Sequence, residues 1–511
     1  MLRVLGGPKR LCDGLTRRDL LQVGSLGLLG LGARELLSAA PARAADGVPS
    51  SGLPGFGRAK ACILLFLYGS PSQLETFDPK PQAPVEIRGE FGCIPSSVPG
   101  LNVCERLPLL SQVMDKVTLI RSVTHPYPIH GVAFATTGIR RIDVALELHP
   151  RDTAHHPFIG SAVDYIDGRT PANRQRTGAG SDRPPLPRNL VLPWAFSSHR
   201  VGEVPRSGPY GGFLGQAYDP VSAEFVGQAT RKARKTLADK VWEDLEPYRG
   251  VTPDSRFELS GVSSLPAELT LDRLDRRRTL LEQIEGARRR ADASISRSSG
   301  IDRHRALAYE LAGSPAVRRA FDIGLEPDET RSLFGMTLFG QASLTARRLV
   351  EAGGRFITVF WDEYGLAGTG WDTHWDHFPR MKDELLPGLD RTFSGLLVDL
   401  DRRGLLDETL VVLLSEHGRT PKLTLGNGGG RDHWSRCYSV VMAGGGIARG
   451  RVVGSSDRIA SDPAERPVSP KDVLATIYHL LGIDPRTMLT DIQGRPMALL
   501  PEGEVIPEAL A

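Results

Sequence analysis

Thr409-Leu410-Val411-Val412-Leu413-Leu414-Ser415-Glu416-His417-Gly418-Arg419-Thr420 joins an unbroken apolar run to an acid, an imidazole and a guanidinium. β-Branched and Leu residues without alternation, followed soon by Gly, read as a strand buried on both faces of a parallel sheet. Glu416 and His417 then emerge at its carboxyl end, the edge of an open α/β sheet at which ligands bind. Upstream, far enough away for a βαβ crossover, Arg355 to Trp361 reads as another such strand. The loop after it carries Asp372, His374, Asp376 and His377, and Asp432 and His433 lie a little downstream of the first stretch. The winding predicts that these groups meet on one edge.

The same pattern recurs toward the amino end. Ala61 to Tyr68 reads as a buried strand stopped by Gly69-Ser70-Pro71, with Glu75 and Asp78 in the loop that follows. Val117 to Arg121 reads as a strand delivering Ser122, Thr124, His125 and His130, after a helix around Cys104 to Met114; a short helical stretch from Gly131 stops at Gly138. Asn189 to Leu192 and Tyr438 to Ala443 are further strands. Met381, Leu385, Leu389, Phe393, Leu397 and Leu400 recur at helical spacing, with Pro387 expected to kink or break the helix. Ser469-Pro470-Lys471-Asp472 is a helix start with a capping box, and Gly482 is its stop. Residues from about 219 to 337, including the Arg-rich helical run Thr270 to Ala293, are expected to be a helical insertion packed on the sheet.

The 511 residues, 24% charged and 40% hydrophobic, have the balance of an ordinary globular protein. The amino terminus departs from it. Lys9, Arg10, Arg17 and Arg18 precede an apolar Gly-rich segment, and Ala42-Arg43-Ala44 offers a small-residue cleavage site. Thr16-Arg17-Arg18-Asp19-Leu20-Leu21 looks like a twin-arginine signal. The expectation is therefore a signal over residues 1–44, handled by the twin-arginine translocase, a flexible lead-in over 45–58, and one α/β domain over 59–511. Without the signal the formal charge of +3 falls to roughly neutral, which argues against a nucleic-acid partner. No later segment is apolar enough for a membrane span, so a periplasmic or extracellular location is expected. In an oxidising compartment Cys93 and Cys104, both in loop-like sequence, could pair.

Eight of the 12 histidines fall in a few short windows, several beside Asp or Glu. Imidazole with a carboxylate nearby is the usual make-up of a transition-metal or catalytic site. Four motifs resemble those of the DUF1501 family, which is distantly similar to sulfatases and alkaline phosphatases: Gly69 to Lys80, Trp371 to His374, Glu416 to Lys422, and Arg431 to Trp434. The resemblance runs from about Cys62 to Asp484. It implies an alkaline phosphatase/sulfatase-like α/β fold, a mostly parallel central sheet flanked by helices.

It also implies a two-metal site in which Glu75 or Asp78 is an early carboxylate, Asp372 with His374, Asp376 or His377 a middle set, Glu416 with His417 a late pair, and His433 a final ligand. Zinc suits imidazole and carboxylate; manganese, magnesium or calcium are alternatives. The sulfatase pattern places a modified Cys or Ser where this chain has Pro128-Ile129-His130, leaving Ser122, Thr124, His130 or water as the attacking group. Glu75 and Glu416 stand where the superfamily usually has Asp. Arg419 would either clamp an anion bidentately or bridge to an acidic loop, while Trp371, Trp375 and Trp434 would stack on a sugar or pack. The expected function is hydrolysis of a phosphate or sulfate ester, small-molecule or glycan. The competing expectation is a non-catalytic secreted protein that binds a glycan or envelope partner.

Overall fold

Nine strands, β1 (Ala61–Leu67), β2 (Val117–Val123), β3 (Asn189–Leu192), β4 (Val221–Val226), β5 (Arg256–Leu259), β6 (Phe356–Trp361), β7 (Thr409–Leu414), β8 (Tyr438–Ala443) and β9 (Arg451–Val453), share one sheet. Their order is β5-β4-β3-β6-β1-β7-β8-β2-β9. Neighbours run parallel except at β5/β4, β7/β8 and β8/β2, so β5 and β8 alone oppose the others. This computed structural model describes residues 52–128, 130–139, 149–169, 186–201, 208–228, 232–237, 240–245, 250–259, 314–366, 370–424 and 429–511. Residues 53–511 belong to one compact unit.

The reason these runs are strands is visible in what each face buries. Ile63, Leu65 and Leu67 of β1 enter one apolar core, and Cys62, Leu64 and Phe66 enter another. Val411 and Leu413 divide from Leu410, Val412 and Leu414 in the same way on β7. Such period-two separation, with both faces apolar, is what a doubly covered parallel sheet requires. The covering helices are α1 (Val132–Thr137), α2 (Ile159–Asp167), α3 (Leu338–Glu351), α4 (Leu386–Arg402) and α5 (Pro470–Leu480). α3 and α4 supply Phe339, Ala342, Phe393 and Leu397 to the first core, while α2 and α5 supply Ile159, Val163, Val473 and Ile477 to the second.

Helix ends follow the local chemistry. The Ser469 side chain accepts from the Lys471 N–H, and Asp472 reaches back to the Ser469 N–H, closing the capping box on α5. Pro387 does not break its helix: His377–Arg380 leads into a π-helical turn at Met381–Leu385 and then into α4. The wider turn absorbs a ring that would otherwise crowd the preceding carbonyls.

Several elements differ from expectation. The helix expected from Cys104 to Met114 is confined to Pro108–Ser111, because Cys104 belongs to a short strand, Asn102–Cys104. The segment expected to be a helical insertion from 219 begins with strands. β4 and β5 extend the main sheet, with Phe225 opposite Phe257, and Lys232–Leu237 pairs with Lys240–Leu245. The alternation in Val221-Ser222-Ala223-Glu224-Phe225 and Arg256-Phe257-Glu258-Leu259 is the strand period that the helical reading passed over. Pro315–Phe321 and Asp328–Phe334, at the far end of the segment, are helical. The Thr270 to Ala293 run and residues 1–44 lie outside the described residues. Among the described residues, no helix is long and apolar enough to cross a membrane.

Leu413 is 3% exposed between β1 and β8, so Leu413→Ala leaves a cavity and is expected to lower stability by about 2–5 kcal/mol. Ser469→Ala removes only a cap and should cost about 1 kcal/mol. Urea unfolding of the two variants tests this ranking; a reversed order would contradict the packing described.

Candidate metal centre

The loops that follow β1, β6 and β7 meet beyond the carboxyl ends of those strands. Gly69 lets them do so. It has φ +90°, and a Cβ there would lie 2.3 Å from the Asp372 backbone nitrogen, so only glycine allows the β1 and β6 loops this close. The Trp371 N–H donates to the Tyr68 carbonyl at 3.1 Å, locking the same junction. Gly430 does this for the later loop, since a Cβ there would lie 1.7 Å from the His374 carbonyl oxygen.

His374, His417 and His433 arrive at this junction from different loops with one feature in common. His374 Nδ1 faces Asp432 Oδ1 at 2.7 Å, His417 Nδ1 faces the Gly418 carbonyl at 2.8 Å, and His433 Nδ1 faces the Pro128 carbonyl at 3.3 Å. Those oxygens accept only, so Nδ1 donates in each ring and, in the neutral form, the Nε2 lone pair points inward. Burial lowers the His374 pKa, but Asp372 outweighs it and draws this ring toward the charged form. His374 Nε2 and His433 Nε2 lie 3.1 Å apart, and Asp372 Oδ1 is 3.0 Å from the first and 3.3 Å from the second. Two lone pairs facing each other beside a carboxylate repel unless a proton or a cation lies among them. A tetrahedral ion with bonds near 2.0–2.1 Å has ligand-to-ligand edges of about 3.3 Å, and these three separations match that triangle.

His417 Nε2 is fully buried and has no hydrogen-bond partner. Burial first, and then the nearby His433, Arg419 and His130, hold this imidazole neutral, well below its usual pKa. With His130 and His433 it forms a second group whose donor atoms all lie within 4.8 Å of one another; Asp372, His374 and His433 form the first. An orphaned buried lone pair beside a donor triangle fits a divalent cation, and because His433 has one free nitrogen the two sets are alternatives rather than a pair. The imidazole and carboxylate donors suit zinc or manganese better than magnesium or calcium.

His130 bridges the carboxylates. Its Nδ1 is 2.9 Å from Glu416 Oε1 and its Nε2 is 3.3 Å from Asp372 Oδ2, with Tyr68 stacked on the ring at a centroid distance of 5.1 Å. Burial pushes its pKa down, but Asp372 and Glu416 outweigh that and raise it to about 9. Glu416 Oε1 also accepts the Gly69 N–H at 2.8 Å, while Oε2 has no partner.

Arg419 faces inward. It is fully buried, bonds to Asp372 and to the Gly69 carbonyl, and donates to the Ser70 and Arg431 carbonyls at 3.1 Å each. Of the two roles open to this guanidinium, anion clamp or bridge to an acidic loop, its contacts are those of the bridge.

The remaining candidates separate. Glu75 and His377 pair with each other at 3.2 Å, behind the centre, where Arg431 bonds to Glu75 and His377 Nδ1 meets Thr373 Oγ1 at 2.7 Å. Asp78 lies elsewhere, bonded to Lys80 at 2.9 Å and to Ser456. Asp376 starts the His377–Arg380 helix with φ +45° and belongs to neither donor group. Ser122 is buried and donates to the Arg466 carbonyl at 2.5 Å, away from the histidines. Thr124 and His433 both line a cleft of about 760 Å³ walled also by His125, Phe134, Trp434 and Arg436. Trp371 is wholly buried against Trp361, and Trp434 donates to the Ser461 carbonyl at 2.7 Å. Asp432 as the outer partner of His374, and Arg431 as the partner of Glu75, carried only a weak signal in sequence, an acid beside a histidine and an arginine before it.

The Glu75–Arg431 pair gives a pH prediction. Burial would raise the Glu75 pKa, but Arg431 and His377 lower it from 4.5 to about 2; since burial keeps His377 below its usual pKa, Arg431 is the cation that matters at neutral pH. A folded pKa below the unfolded one gives stability that is present above pH 4.5 and lost as pH falls toward 2. Its size is about 3 kcal/mol. Glu75→Gln should lower stability at pH 7 by about that much and flatten the decline between pH 4.5 and 2. A parallel pH profile for wild type and variant would show that the pair contributes nothing.

No curated protein matches the chain. Solved structures similar to it include a sulfatase from Pseudoalteromonas sp., 11% identical over 89% of this chain and 72% of that one with a TM-score of 0.36. Others are a lipoteichoic acid synthase from Listeria monocytogenes, 10% identical over 91% and 79% with a TM-score of 0.34, and a phosphonate monoester hydrolase from Silicibacter pomeroyi, 11% identical over 83% and 73% with a TM-score of 0.28. The family model described as "Protein of unknown function (DUF1501)" matches residues 59–510, and the chain belongs to that family.

Proposed function

We propose that this chain is an exported, metal-dependent hydrolase of phosphate or sulfate esters, carbohydrate-linked esters among them. The observation that carries the reading is the convergence of three Nδ1-tethered imidazoles and Asp372 beside a cleft. Asp372, His374 and His433 would hold the divalent ion, with the free nitrogen of His417 beside them. Bound there, such an ion polarises ester oxygens and lowers the pKa of water toward about 7. The chain's own contribution is orientation. Asp432, Gly418 and Pro128 fix the ring tautomers, Arg419 holds the Asp372 carboxylate in place, and Glu416 positions His130.

Water as the attacking group fits the surroundings better than a side chain does. The Ser122 hydroxyl is engaged with Arg466, and the nearest cysteine in sequence, Cys104, lies in a hairpin. The cleft that reaches His433 would take the ester's organic portion, with Trp434 on its wall. One observation favours the second reading, a non-catalytic secreted protein that binds a glycan or envelope partner: Arg419 is turned inward and not available to clamp a tetrahedral anion. The twin-arginine motif supports export and would let the metal be loaded before the folded chain leaves the cytoplasm.

Metal analysis of the purified protein followed by assays with aryl phosphate and aryl sulfate esters separates the readings. The hydrolase reading expects bound divalent metal, turnover abolished by a chelator, and loss of turnover in His417→Ala and His433→Ala. Asp432→Asn should weaken metal binding by about 10–100-fold, as loss of an outer partner does. Bound metal without turnover on either ester class would favour the binder, and absence of bound metal would remove the hydrolase reading.

A further inference from the structure

Cys93–Pro95 and Asn102–Cys104 form an antiparallel hairpin in which Cys93 stands directly opposite Cys104. The Glu105 N–H donates to the Gly92 carbonyl at 3.0 Å, and the Ser96 N–H to the Leu101 carbonyl at 2.9 Å. Those rungs lie at alternate positions of one register, so the Cys93/Cys104 position falls between hydrogen-bonded pairs. The Cys104 N–H confirms this by donating out of the hairpin, to the Thr76 carbonyl at 2.9 Å. At such non-hydrogen-bonded positions the Cα atoms lie about 4.5 Å apart with side chains at their closest, within the roughly 4.4–6.8 Å that a disulfide spans. Both residues are thiols here; Cys93 is partly exposed and Cys104 is buried.

We propose that Cys93 and Cys104 form an intramolecular disulfide when the folded chain meets a disulfide oxidant. The accessible Cys93 loses its proton and its thiolate attacks a sulfur of the oxidant, releasing one thiol and leaving a mixed disulfide. Cys104 then gives up its proton and attacks the Cys93 sulfur, expelling the second thiol; the protein loses two electrons and two protons, and the oxidant becomes two thiols. Burial pushes the Cys104 thiol up to about 12, which makes Cys93 the first to react. The bridge would not stay local. Cys104 is tied to Thr76, and Arg121 donates to the Phe77 carbonyl at 3.0 Å and to the Asn102 carbonyl at 3.2 Å. The hairpin therefore holds the loop whose Gln73 brackets Arg419, donating to its carbonyl at 2.8 Å and accepting its N–H at 3.0 Å. The pairing does not depend on the ester-hydrolase reading.

The test uses the full chain, reduced, freed of reductant, exposed to oxidised glutathione, then unfolded and treated with iodoacetamide before peptide mass analysis. The expected result is one species linking the Cys93 and Cys104 peptides, with buried Cys62 and Cys437 alkylated and Cys12 absent from the linked species. Cys104→Ser should retain glutathione on Cys93, and the oxidised wild type should unfold a few degrees higher than the reduced protein. Alkylation of both Cys93 and Cys104 in the wild type, or glutathione persisting on its Cys93, would overturn the proposal.

Discussion

The buried guanidinium of Arg419 is the constraint on which the arrangement of the centre rests. It bonds to the Gly69, Ser70 and Arg431 carbonyls and to the Asp372 carboxylate, so the loops after β1, β6 and β7 and the approach to His433 share one hub. A charge withdrawn from water is costly unless its donors are satisfied and an opposite charge lies close. The loops can satisfy Arg419 only in the geometry that also turns Asp372 toward His374 and His433. Burial, by itself unfavourable to a carboxylate, is outweighed by Arg419 and His130, and Asp372 stays ionised well below its usual pKa. Rigidity and charge in this site therefore have the same source.

A second buried pair repeats the device one layer back. Arg431 bonds to Glu75, donates to the Ile87 carbonyl at 2.8 Å and to the Thr420 carbonyl at 3.0 Å. Its own carbonyl accepts from Arg419, so the two guanidiniums are linked through the backbone. His377 extends the network to Thr373, the residue next to Asp372. Taking either cation away would leave several buried carbonyls and a carboxylate without partners at once. That explains why residues beside the centre are wholly buried although the centre itself borders a cleft.

The fold was legible because its evidence is periodic and local. The runs Ala61 to Leu67, Phe356 to Trp361 and Thr409 to Leu414 are apolar at every position or nearly so, and each is a strand with side chains divided between two cores. The histidines were legible as a set for a related reason: each follows a strand, and a parallel sheet returns such strand ends to one edge. Contacts that decide a side chain's role were not legible. Nothing in Glu416-His417-Gly418-Arg419 says that the arginine turns inward, since that depends on carbonyls of Gly69 and Ser70 nearly 350 positions away in sequence. Likewise the strands at 221–226 and 256–259 are specified by pairing with each other at the sheet edge, which short alternating segments disclose weakly.

Of the three buried carboxylates nearest the centre, one joins a donor group and two sit beside imidazoles. Asp372 has a short side chain and reaches His374, His433 and His130 directly. Glu416 and Glu75, each longer by a methylene than Asp372, meet other partners. Glu416 Oε1 meets the Gly69 N–H and His130 Nδ1, and Glu75 meets Arg431 and His377. In both cases the carboxylate supports an imidazole from behind, a position that orients a ring and raises its basicity. The unpartnered Oε2 of Glu416 is the exception within this order. It belongs to the carboxylate whose other oxygen holds both the Gly69 N–H and His130, so a group that donates to it would act on the same side of the centre.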